Sequence, residues 1–69
     1  MNNEYKQGWN LRVSSAYATN KQVRPFTGAG SKAKNDAHED GFRACNSAFM
    51  KAVATAIEAG VNPTYPQPI

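Results

Sequence analysis

The sequence has little of what usually staples or activates a small protein: one Cys, one His and one Trp. One Cys closes no internal disulfide, and no four-ligand set with structural-zinc spacing is present. Long hydrophobic runs are missing, which excludes a spanning helix. No basic segment followed by an apolar stretch reads as a secretory signal, so a cytoplasmic setting without membrane contact is the expectation. Between Tyr5 and Lys34 there is no acidic side chain at all. The chain of 69 residues has room for one small domain. Folding at that size buries roughly 60% of the unfolded surface, leaving a thin core that a partner can complete. Elaborate multi-domain catalysis is excluded, and binding or interaction modules are favoured.

The net charge of +3 hides an asymmetry. Residues 1–35 hold Lys6, Arg12, Lys21, Arg24, Lys32 and Lys34 against Glu4 alone, a net +5. Residues 36–69 hold Arg43 and Lys51 against Asp36, Glu39, Asp40 and Glu58, a net −2. The front half attracts phosphate, RNA or an acidic protein surface by Coulomb forces. The same charges also serve as an ordinary solubilising face.

Hydrophobic spacing predicts a helix over residues 4–18, with Tyr5, Trp9, Val13 and Ala16 or Tyr17 on one face. Gly8 weakens that helix unless a second helix approaches beneath it. Residues 20–34 read as a connector, because Pro25 disfavours helix at Arg24 and Thr27-Gly28-Ala29-Gly30-Ser31 supplies turn positions. A second helix is predicted over 37–59. Asp36 with Glu39 has capping-box spacing, Asn35 is an alternative cap, and Gly60 with Pro63 marks the stop. Phe42, Cys45, Phe49, Ala52 or Val53 and Ala56 form its apolar stripe, widened by Met50 and Ile57. That helix measures about 34 Å, longer than the first can cover. Its outer part is expected to pack against a second copy or against residues 61–69.

The fold expected is therefore an all-α, two-helix domain over 1–60 with a Gly/Pro-containing connector, a proline-rich tail over 61–69 and a capacity to dimerise. Trp9, Phe26, Phe42, Cys45 and Phe49 are the expected core. Three prolines favour an extended tail, which either docks onto the second helix through Tyr65 and Ile69, stays unstructured, or serves as a linear epitope.

No constellation of base, nucleophile and transition-state donor emerges. His38 and Cys45 lie about 10 Å apart along one helix, too far for direct proton transfer. Neither a catalytic residue, a cofactor nor a metal site is expected. The basic residues interleaved with aromatics point instead to phosphate contacts from Lys6, Arg12, Lys21, Arg24, Lys32 and Lys34, with Tyr17 stacking on an exposed base. Clear RNA, zinc-finger, homeodomain and leucine-zipper signatures are all absent, and the mixed charges of the second helix suit a DNA groove poorly, so DNA ranks below RNA or the ribosome.

Tyr5-Lys6-Gln7-Gly8-Trp9, Arg24-Pro25-Phe26 and Ala37-His38-Glu39-Asp40-Gly41-Phe42-Arg43-Ala44 together resemble the bacterial ribosome modulation factor family and its plasmid- and phage-associated relatives. The likeness covers residues 5–44. It rests on a glycine-aromatic pair in each helix and a proline-aromatic pair between them. Arg24 and His38 replace the Cys and Trp common at those points, and the intervals are longer. The resemblance implies a non-catalytic partner of the ribosome or rRNA that modulates translation, its basic residues meeting rRNA. The other reading is a small inhibitory or adaptor module, of the kind mobile elements encode. In it the Ala-rich helix, Phe49 and the tail bind an unidentified protein.

Overall fold

A computed structural model describes residues 2–15 and 23–69. Two α-helices, and no strand, occur among the described residues: α1, Asn3–Ser14, and α2, Ser31–Ala59. The fold is all-α. At 29 residues α2 is about 43 Å long, and it sets the long dimension of a molecule measuring 48 × 23 × 14 Å.

α1 starts where Asn2 accepts hydrogen bonds from the backbone N–H groups of Glu4 and Tyr5, at 2.8 and 3.0 Å. It ends earlier than the spacing suggested. The hydroxyls of Ser14 and Ser15 both donate to the Leu11 carbonyl, and Ser15 turns into extended conformation. Serines bonding back to the helix backbone compete with its continuation. Residues 16–18 of the predicted span lie outside the described residues.

α2 begins six residues before its expected start. Gly28 and Gly30 both take left-handed φ, and Ser31 donates its N–H to the Gly28 carbonyl, so a tight turn leads directly into the helix. The capping box does not form, because Asp36 and Glu39 are already inside the helix and bind cations instead. Asn35 is no cap either. Its side chain accepts from the Phe26 N–H at 2.9 Å and donates to the Phe26 carbonyl at 3.0 Å. The far end follows expectation. Gly60 is left-handed, its N–H donates to Ile57, and the Val61 N–H donates to Ala56, which is the Schellman arrangement.

The helices cross where each has a glycine. A Cβ on Gly8 would overlap the His38 carbonyl, and one on Gly41 would overlap the Tyr5 carbonyl. Each backbone thus lies in the notch left by the other's missing side chain. Beyond the crossing, α1 heads towards the C-terminal half of α2, where Arg12 reaches Asn46 and Phe49. The end of α1 therefore lies far from the start of α2. Residues 15–30 separate the two helices, more than the about two to five residues of an antiparallel helical hairpin.

Close backbone approach leaves little space for large side chains. Among the described residues only Phe42, Cys45 and Ala56 are buried apolar groups, while Arg12, Asn35 and His38 are buried polar ones. Trp9, Phe26 and Phe49, expected in the core, are only half-buried. Each sits at an edge where it has a specific partner. The Trp9 indole N–H donates to the Gln67 carbonyl at 2.8 Å. Phe26 meets the edge of His38 with ring centroids 5.8 Å apart. Phe49 lies between the Arg12 guanidinium and the Tyr65 ring.

The tail packs on both helices. Tyr65 lies against Phe49 of α2, while Asn10 of α1 pairs with both the N–H and the carbonyl of Ile69, each at 2.8 Å. The docking of Ile69 is therefore onto the first helix, through its main chain.

Gly8→Ala and Gly41→Ala should each reveal the crossing. Helix propensity alone favours alanine by up to ~1 kcal/mol, whereas overlap with a backbone carbonyl should cost about 2 kcal/mol or more. Both variants should lose stability in urea titrations; a gain would disprove the close approach. Asn35→Leu, which orphans both backbone groups of Phe26, should cost about 2 kcal/mol in the same titration.

Candidate nucleic-acid interface

Of the six cations expected to meet phosphate, the fold puts one inside. Arg12 is 9% exposed. Its Nε donates to Asn46 Oδ1 at 2.9 Å, Nη1 donates to the Ser15 carbonyl at 3.3 Å, and the guanidinium lies 4.1 Å from the Phe49 ring centre. It stitches the end of α1 to the middle of α2, and is not a surface cation. The sequence contained the signal: Arg12 follows Tyr5 and Trp9 at helical spacing, on the stripe that faces α2.

Arg24 and Lys32 are at the surface but ion-paired. Arg24 bridges Asp36 at 3.1 Å and Glu39 at 2.8 Å, Lys32 pairs with Asp36 at 2.8 Å, and Arg43 pairs with Glu39 at 2.8 Å. Three cations and two carboxylates form one chain of net +1 linking the connector to α2. Hydrogen bonds from Lys32 and then Arg24 hold the Asp36 carboxyl below its ordinary range; Arg43 and then Arg24 do the same to Glu39. Bonding first to Glu39 and then to Asp36 raises Arg24 correspondingly.

Lys6 and Lys34 are exposed, with no ion pair among the described residues. Lys21 and Tyr17 lie outside those residues. The described part of the basic surface is thus Lys6, Lys34 and the cluster with its net +1.

Beside it lies the polar interior of the connector junction. His38 is 5% exposed, and its Nδ1 lies 2.8 Å from the Val23 carbonyl, which accepts a hydrogen bond from a proton carried on Nδ1. Through Asn35 and His38, α2 therefore holds the connector at Phe26 and Val23. Cys45 is fully buried; desolvation pushes its thiol up, against a smaller opposing pull from Arg12. A thiol so placed is a packing group and a poor nucleophile. No cluster of three His, Cys, Asp or Glu able to hold a metal ion occurs among the described residues. None of their helices is long and apolar enough to cross a membrane.

The apolar face of α2 is more exposed than its spacing suggests. Val53, an alternative member of the expected core stripe, and Met50 and Ile57, expected to widen it, instead face solvent along a groove shared with Val13 and Tyr65. No protein-family model, curated protein or solved structure matches the chain.

The ion-pair chain makes a pH prediction. Because both carboxyls titrate lower in the folded chain, the unfolded chain binds more protons in that interval, and stability rises with pH there. The contribution is complete above about pH 5 and is lost as the pH falls through the depressed values. Exposure keeps it small and salt-sensitive. The urea midpoint should fall between about pH 5 and about pH 3, and fall less in Arg24→Gln.

Proposed function

We propose that the chain is a non-catalytic modulator that associates with the ribosome or rRNA through a basic helix-connector surface. The observation that carries this reading is spatial. Gly8-Trp9 and Gly41-Phe42 supply the two notches of the helix crossing, and Phe26 of the Pro25-Phe26 pair packs on His38 beside it. The three points of likeness to the ribosome modulation factor family, distant in sequence, meet at one junction. A shared reason for the motifs supports a shared architecture, and function is argued from the surface that architecture carries.

That surface is smaller than the sequence suggested. Lys6 and Lys34 are its described unpaired cations, with Arg24 available wherever a phosphate displaces a carboxylate. Lys21 and Tyr17 complete the candidate set. Binding would neutralise phosphates and place a slim helical pair against a functional surface of the RNA.

The second reading, an adaptor or inhibitory module, draws support from the apolar face of α2 and the docked tail. Pull-down from lysate, with and without RNase, separates the two. Ribosomes or rRNA recovered only without RNase support the first reading; one RNase-resistant protein supports the second.

Lys6→Ala and Lys34→Ala should each weaken RNA binding across sequences and reduce the salt slope by about 0.7–0.9. Asp36→Asn, which releases Arg24 and Lys32 from a carboxylate, should strengthen it. Salt-independent or absent RNA binding would reject the proposal.

A further inference from the structure

α2 carries two apolar stripes, and among the described residues one of them is covered. Phe42, Cys45 and Ala56 are buried on the side of α1 and the tail. Met50, Val53, Ala54 and Ile57 lie roughly a third of a turn away, along an open groove of about 700 Å³. Met50 is 65% exposed and Ile57 is 75% exposed.

We propose that this face is the interface of a homodimer, with α2 packed antiparallel against α2 of a second copy about a two-fold axis. The stripe is symmetric in its own spacing. An axis passing between Val53 and Ala54 sets Met50 opposite the partner's Ile57 and Val53 opposite the partner's Ala54. The small side chain near the axis allows the helices to approach closely.

Charge identifies the occupant as a second copy. After Arg43, the ionised side chains of α2 are Lys51 and Glu58, and neither has an ion pair among the described residues. They stand about 10 Å apart along the axis, too far to pair within the chain. Seven residues make nearly two full turns, so both flank the stripe on one side. A two-fold axis perpendicular to both helices keeps that flank on the same side in each copy. Lys51 then faces the partner's Glu58 with an axial offset of about 3 Å, and Glu58 faces the partner's Lys51. A parallel pair would put the two flanks on opposite sides and leave every one of these charges unmatched. A uniformly acidic or uniformly basic partner would satisfy only one of the two. The face is self-complementary, and its dimerisation does not depend on RNA binding.

Sedimentation equilibrium of the full chain tests this. The protein should be dimeric, and Lys51→Glu or Glu58→Lys should each weaken the dimer roughly two- to thirtyfold at low salt, since symmetry doubles each lost pair. The double variant Lys51→Glu/Glu58→Lys should restore association. Ile57→Asp should give a monomer with unchanged helix content by circular dichroism. A wild-type chain still monomeric at about 1 mM would overturn the proposal and leave the face to a different helix. A dimer indifferent to Ile57→Asp, or a double variant no tighter than the single ones, would overturn it equally.

Discussion

Everything in this fold depends on two backbones being allowed to touch. Gly8 and Gly41 remove the side chains that would hold the helices apart, and each helix then presses on the other's carbonyl. The approach supplies dispersion contacts between main chains that larger side chains would have to supply otherwise. It suits a chain with one Trp and three Phe. It also costs intrinsic helix propensity at both positions, a loss that close packing must offset.

A second consequence is the unusual interior. With the backbones so close, the space around the crossing is shallow, and polar side chains that bond to main chain fill it better than bulky apolar ones. Asn35 satisfies both backbone groups of Phe26, and His38 holds Val23. Arg12 offers its flat guanidinium to Phe49 and its N–H groups to Asn46 and Ser15. No buried side-chain nitrogen or oxygen among the described residues lacks a partner. Such bonds specify geometry, since each needs one connector conformation, whereas apolar contact tolerates several.

How much of this was legible depended on whether the signal was local. The stop at Gly60, the all-α architecture and the stripe through Phe42 and Cys45 follow from spacing within a few residues. The start of α2 did not. Asp36 and Glu39 have the chemistry of a cap, and only the tertiary position of Arg24 assigns them to ion pairs. Arg12 was read by its charge when its register with Trp9 already placed it on the packed face. Trp9, Phe26 and Phe49 were read by size, while their exposure is set by partners far along the chain at Gln67, His38 and Tyr65. Of the candidate surface, composition identified the cations but could not tell which ones have carboxylates beside them.

The grip on the tail has a different kind of consequence. Asn10 holds Ile69 by its amide N–H and its carbonyl, groups that every amino acid except proline presents alike. Trp9 likewise takes a main-chain oxygen from Gln67. Substitution is therefore constrained unevenly across this contact. These bonds do not read the side chains at 67 and 69, whereas they need the indole N–H of Trp9 and the amide of Asn10; the Gln67 side chain adds only a local bond to the Tyr65 carbonyl. The tail is recognised for its course through space and not for its spelling.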